Sequence, residues 1–293
     1  MKPTRSLLIV LPLLHASAYG AVLFSDNFNR ADGGNIDASL TGIVDNTGSS
    51  LAADGVYTTP WVDPANNPGA GTATDGGAVR ILSNTLQLAV GAGTSNTYVN
   101  HNFVNSLITA NGMFSVSFDL TATGQSGYQQ GGGFALGMSL AEANSAADAF
   151  NNTDPSMTGA FHDLSTIGTT VQPNVVSDFW IALRGNGSLA WGGGAGTAIA
   201  GQAVGVKTGS VSVNFALSDF NAGSTVNYEV FFNSVSQGTG LFTWSGTDEN
   251  YIGLDARDSG AVGFDNFVVA TVPEPSVAAI SILGFAGLFR RRR

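Results

Sequence analysis

The body of this chain holds three glutamates that could serve in general acid–base work: Glu142, Glu229 and Glu249. Breaking a glycosidic bond takes two carboxyl groups, about 5 Å apart for retention and further apart for inversion. These three are far apart in sequence and fall on different elements. The tighter acidic groupings, Asp248-Glu249 and Asp255 with Asp258, flank a strand pattern and read as turn residues. Histidine chemistry has little material: His101 and His162 are the two imidazoles of the body, and no Gly-x-Ser-x-Gly elbow accompanies them. His101 sits in Tyr98-Val99-Asn100-His101-Asn102-Phe103, where alternation lets it face either way. A zinc site needs three or four close ligands, and no spacing here offers them. Cysteine is absent, which excludes thiol catalysis and thiolate metal centres.

A hard cation fits the residue types better, because calcium takes carboxylate and carbonyl oxygens. Asp26, Asn27 and Asp32 near the start of the body, with Asp265 and Asn266 near its end, can gather on one Ca2+ if the two ends meet. The commoner role of such residues is to cap turns through local hydrogen bonds. Sugar binding asks for exposed aromatic faces beside amide and carboxyl groups. Trp61, in a Pro/Asn/Gly stretch, and Trp191, beside Gly192-Gly193-Gly194, have the settings that suggest exposure. Trp180 and Trp244 lie in apolar runs and read as core.

The elements that must carry these residues are strands. Phe114, Val116, Phe118 and Leu120 alternate with Ser115, Ser117 and Asp119; Val211, Val213, Phe215 and Leu217 alternate likewise, as do Val226, Tyr228, Val230 and Phe232. Period-two alternation puts one apolar face inward and one polar face outward, as in an antiparallel sheet with one wet side. Further strand candidates are Val22–Phe28, Val79–Leu82, Thr85–Val90, Thr97–Val104, Gly133–Leu140, Phe179–Leu183, Tyr251–Ala256 and Val262–Ala270, separated by Gly, Asn and Asp clusters that make turns. Leu140–Phe150 is the one helical stretch. Asp63–Gly77 reads as a surface loop, and Gly192–Gly205 as a long loop or an irregular edge strand. Many strands, little helix and no repeat of fixed period predict one all-β sandwich of antiparallel sheets.

Composition narrows the partners. Between residues 21 and 271 there are five basic side chains (Arg30, Arg80, Arg184, Lys207 and Arg257) against twenty acidic ones, a formal charge of −15. Such a body repels nucleic acid, so no nucleic-acid partner is expected. Hydrophobic residues make up 43% of the chain, too many for a disordered polymer.

Both ends carry addresses. Lys2 and Arg5 precede an apolar core, Leu7–Leu14, and small residues follow at Ala16, Ala18 and Gly20. This is the pattern of a secretory signal peptide over residues 1–20, which the Sec export machinery would read. At the other end Val272-Pro273-Glu274-Pro275 leads into an apolar run, Val277–Phe289, and then Arg290, Arg291, Arg292 and Arg293. That run is shorter than the roughly 20 residues that cross a bilayer core, and the guanidinium block favours the cytoplasmic side.

Two resemblances follow from these residues. The Pro-Glu-Pro, short apolar helix and basic block of residues 272–293 resemble the PEP-CTERM sorting signal of Gram-negative bacteria. The resemblance implies transient inner-membrane anchoring, processing by a membrane protease of the exosortase type, and delivery to the cell surface or extracellular matrix. The opening Phe24-Ser25-Asp26-Asn27-Phe28-Asn29-Arg30-Ala31-Asp32 and closing Gly263-Phe264-Asp265-Asn266-Phe267-Val268-Val269 look like the paired terminal strands of concanavalin-A-like (laminin-G-like) jelly rolls. That resemblance spans residues 21–271 and implies terminal strands lying side by side. Its laminarinase-like members carry Glu-x-Asp-x-x-Glu along one strand, and this chain lacks that motif.

The expectation is therefore a jelly-roll β-sandwich flanked by a signal helix and a short hydrophobic helix. It is exported, non-catalytic and displayed at the surface or in the matrix, with extracellular polysaccharide as the partner its aromatics allow. The alternative is a divergent polysaccharide-acting hydrolase or lyase whose carboxyls meet only in three dimensions.

Overall fold

The computed structural model describes residues 20–46, 51–53, 55–57, 61–62, 79–90, 95–103, 108, 112–124, 126–127, 130–145, 175–194, 197–246, 248–258 and 260–272. Residues 1–19, the tail from Pro273 to Arg293, His162 and the whole stretch expected as a loop, Asp63–Gly77, lie outside the described residues. No described helix is long and apolar enough to cross a membrane.

Alternation becomes two antiparallel sheets. Sheet A runs in the order β14 (Val235–Thr243), β13 (Thr225–Phe232), β12 (Gly209–Ala216), β7 (Met113–Ala122), β16 (Val262–Thr271), β1 (Val22–Asp26), β2 (Ile43–Asp45). β5 (Leu86–Leu88) also pairs with β16, and β4 (Val79–Ile81) pairs with β5. Sheet B runs β11 (Ala200–Ala203), β10 (Ser188–Gly193), β9 (Phe179–Arg184), β8 (Gly131–Met138), β15 (Tyr251–Asp258), β6 (Ser95–Asn102), β3 (Trp61–Val62). One short helix, α1 (Leu140–Ser145), follows β8. The architecture is the antiparallel jelly-roll sandwich. Its terminal strands do lie side by side, with Val22 opposite Ala270 and Asp26 opposite Phe267. The two ends of the body also clamp each other: Thr271 donates its backbone N–H to the Ala21 carbonyl, and Ala21 donates to Thr271 Oγ1, both at 2.9 Å.

The core between the sheets is aromatic. Phe179 of sheet B meets Phe215 of sheet A at 5.1 Å between ring centroids and Phe242 at 5.5 Å, and Phe114 stacks on Phe215 at 4.9 Å. Such offset and edge-on pairs add to the area their rings bury. Sheet A keeps the wet outer face that alternation predicts. Sheet B does not: every residue of β8, β9 and β10 is buried. A second small core, made of Ala135, Met138, Trp180, Ala182 and Ala190 with Ala143, Val175 and Ile199, covers its outward face. Trp180 is thus core, in this second layer, and Trp244 is core in the first.

The sequence hides β14 for a physical reason. It is an edge strand in which only Phe242 is buried, and two inward positions are glycines. A side chain at Gly240 would run into the Tyr228 phenol, and one at Gly238 would come within 3.0 Å of the Trp191 indole. The hairpin that makes it turns on Asn233 and Ser234, both at positive φ (47° and 65°), the twist a two-residue connection requires.

Candidate functional site

On the wet face of sheet A, near its β14 edge, the strands leave an open depression of about 460 Å³. Two cross-strand rows build it. Asn214 of β12 stands opposite Glu229 of β13, which stands opposite Thr239 of β14. In the next row Met113 of β7, Ala216, Asn227 and Leu241 follow in order. Ala216 is the short side chain among taller ones, and Leu241 is 64% exposed. Glu229 accepts a 2.7 Å hydrogen bond from the Ser236 hydroxyl, which fixes one carboxylate oxygen. The arrangement offers two amides, a hydroxyl and one carboxylate beside apolar contact area. Neighbouring strands place these groups about 4.8 Å apart. The Met113 carbonyl at its border accepts the Val272 N–H, so the root of the C-terminal segment lies beside the depression.

A second group of polar side chains lies on the covered face of sheet B. Asp255, Arg257 and Arg184 are all buried. Asp255 is separated from Ala182 by Gly133, and Arg257 from Arg184 by Gly131. Asp255 is therefore a strand residue in the second core layer, not the turn residue its sequence suggests. Asn100, on the same face, donates to the Ala143 carbonyl of α1 at 2.9 Å.

At one end of sheet B three carboxyls from distant parts of the chain come together. Glu142 closes a capping box on α1: its Oε2 accepts from the Ser139 N–H and hydroxyl at 2.8 Å each. Asp178, just before β9, donates its N–H to the Leu136 and Gly137 carbonyls, and its Oδ2 accepts from the Ser245 N–H at 2.8 Å. Glu249, before β15, hydrogen-bonds to the Glu142 carboxyl. Burial pushes Asp178 up to about 7, against the lowering hydrogen bonds from Ser245, with the charge of Glu142 adding to the rise. Burial, then the hydrogen bond and charge of Glu142, then Asp178 and Asp248, push Glu249 up to about 8. Glu249 thus stays mostly protonated at neutral pH, while Asp178 titrates there.

The expected calcium ligands do not converge. Asp26 is fully buried and faces Arg30, which clasps it through two 2.8 Å hydrogen bonds; the Phe28 N–H and the Tyr57 hydroxyl complete its partners. Asn27 accepts from the Asn29 N–H, Asp32 from the Ser83 N–H, and Asp265 from the Asn266 N–H. Asn266 donates to Asp119 across the sheet. Four of the five therefore serve as local caps or ties, and Asp26 serves a buried ion pair. Among the described residues, no three acidic or histidine side chains are grouped to hold a metal.

Trp191 is not the exposed platform expected of it. It is 4% exposed, points inward from β10 and lies against Gly238 of β14. The glycines that suggested a loop belong to the strand: a side chain at Gly192 would press on the Trp180 indole at 3.0 Å. Trp61 pairs with Tyr98 in β3, and its side chain lies outside the described residues. His101 faces inward, stacks on Phe24 at 3.7 Å, and holds the Val56 carbonyl through Nδ1 at 2.8 Å. Burial lowers its pKa, so it is a neutral core group.

No known protein family and no curated protein matches the chain. Among solved structures, an endo-1,3-beta-glucanase from Streptomyces sioyaensis is similar over 87% of this chain and 97% of its own, at 12% identity and a TM-score of 0.46. The exoplasmic/lumenal domain of VIP36, in a Ca2+/Man3GlcNAc-bound form, is similar over 68% of this chain and 86% of its own, at 8% identity and a TM-score of 0.38. A sialidase is similar over 68% of this chain at 15% identity and a TM-score of 0.37, and the chain spans 16% of that protein's length. The likeness is one of overall architecture and says nothing of individual residues.

Proposed function

We propose that this chain is an exported, non-catalytic surface or matrix protein, sorted by its C-terminal segment, whose sandwich binds a polysaccharide at the depression on sheet A. The observation that carries the binding reading is the pair of rows Asn214–Glu229–Thr239 and Ala216–Asn227–Leu241 on an open face. Amides, a hydroxyl and a carboxylate at strand spacing suit sugar hydroxyls, and the exposed leucine suits their C–H faces. A shallow site of this kind offers few buried contacts, so affinities at or weaker than about micromolar are expected.

Sorting rests on the Val272-Pro273-Glu274-Pro275 motif and the block Arg290–Arg293. Truncation after Thr271, or replacement of Glu274, is expected to leave export intact and abolish C-terminal processing, because the two terminal signals act separately. Mass spectrometry of the exported protein reads this directly. A mature chain still ending in Arg290–Arg293 would overturn the sorting proposal.

A second reading, a hydrolase or lyase, has one observation in its favour: Glu249 stays mostly protonated at neutral pH and Asp178 titrates there, as suits a general acid. The geometry weighs against it, since Asp178 and Glu249 are buried, Asp178 tied to Ser245 and Glu249 to Glu142, rather than facing across an open space for sugar and water. A glycan array on the full chain, paired with a reducing-sugar assay, separates the two. Binding without sugar release supports the module. Release that D178N or E249Q abolishes supports the enzyme.

A further inference from the structure

We infer that the sheet A depression selects polysaccharides without acid groups and rejects uronate or sulfated chains. This inference rests on the binding reading above and adds the ligand's charge class. The warrant is where the body's cations lie. Arg30 is consumed by its buried pair with Asp26. Arg184 and Arg257 are buried on the strands of sheet B. Lys207 precedes β12, at the end remote from Ala216, and bonds the Ser126 hydroxyl. Arg80, on β4, bonds the Gln87 side chain and stands five strand spacings from β13, roughly 24 Å. That exceeds the roughly 8 Å over which exposed charges act at physiological ionic strength.

The carboxylates, by contrast, share the face. Glu229 sits in the depression itself. Asp119 and Asp265 stand opposite each other on β7 and β16. An acid-bearing sugar entering here would meet Glu229 with no guanidinium or ammonium among the described residues to neutralise it, on a body whose formal charge is −15. A neutral sugar meets the same Glu229 as a hydrogen-bond acceptor for its hydroxyls, with Asn214 and Asn227 able to donate and accept. One carboxylate therefore sets both affinity and exclusion.

The test titrates the full chain with a panel of neutral hexamers (glucan, mannan, galactan) and their uronate counterparts, at ionic strengths of about 0.01 M and about 0.3 M. At low salt at least one neutral hexamer is expected to bind at least tenfold more tightly than its uronate counterpart, and salt is expected to narrow the gap by weakening the repulsion. Glu229→Lys is expected to bring the uronate to within about threefold of the neutral hexamer or past it, with the melting temperature kept as the check on folding. Glu229→Gln is expected to narrow the gap from both sides, weakening the neutral ligand by loss of a charged acceptor and relieving the repulsion of the uronate. Uronate binding as tight as neutral binding in the parent protein, or a ratio that Glu229→Lys leaves unchanged, would overturn the inference while leaving the binding reading standing. Binding of neither class would overturn the binding reading, and the inference with it.

Discussion

Replacing Asp26 with alanine is expected to destabilise the sandwich by about 3–5 kcal/mol, the loss typical of stranding one partner of a buried ion pair. Asp26 is fully buried and Arg30 is 8% exposed, so the guanidinium left behind has little water to turn to. Arg30 keeps its bonds to the Ile36 and Thr41 carbonyls and its place over the Phe28 ring, which hold the charge in position rather than release it. The Tyr57 hydroxyl and the Phe28 N–H lose their acceptor as well. For a domain of this size the melting temperature should fall by roughly 6–20 °C. Denaturant unfolding at fixed pH measures the free energy. The double variant D26A/R30M should cost less than D26A alone, because no charge is then left unpaired. A loss below about 1 kcal/mol in D26A would contradict the role given to this pair.

The carboxyl cluster makes the protein less stable as pH rises. Asp178 and Glu249 have folded-state pKa values near 7 and 8, above those of ordinary carboxyls. The native state therefore binds more protons than the unfolded chain between about pH 4 and pH 8. The cluster's contribution is fully present below about pH 4 and is lost as pH climbs through 7 and 8. For Asp178, raised from 3.8 to about 7, the effect is at most about 4 kcal/mol. His101 works in the opposite direction, since its lowered pKa favours the folded state above its ordinary value near 6.5. Melting curves from pH 5 to pH 9 on the parent, D178N and E249Q isolate the cluster. The variants should lose much of the alkaline decline and be more stable than the parent at pH 8.5. A parental slope retained in the D178N/E249Q double variant would show that other groups cause it.

How far the sequence could be read depended on whether a residue's partner was local. Alternation along β7, β12 and β13 put Phe114, Val213 and Val230 inside and Ser115, Asn214 and Glu229 outside, because period two is a property of a single strand. The jelly-roll resemblance carried by the terminal Asp-Asn-Phe motifs implied that β1 and β16 are neighbours, as they are. Cross-strand register is not local. Nothing along the chain says that Asn214, Glu229 and Thr239 form one row, and the glycines of β14 conceal the strand that completes it. The same limit hid the meeting of Glu142, Asp178 and Glu249, which are brought together by a helix cap, a strand start and a loop. Trp191 misled because glycine beside tryptophan resembles a loop; here the glycine makes room for a second tryptophan across the strand pair. The calcium residues misled because turn caps and cation ligands draw on the same side chains.

Binding at the sheet A depression is tested by one pair of isotherms. The full chain and its Asn214→Ala/Asn227→Ala variant are titrated with the neutral hexamer that binds best, and their melting curves are compared. Both side chains point outward from sheet A, Asn227 into solvent and Asn214 half-buried, so the melting temperature should stay within a few degrees. Losing two direct hydrogen bonds of about 1 kcal/mol each should weaken binding at least tenfold. A variant that melts like its parent and binds the hexamer just as tightly would show that the sugar sits elsewhere.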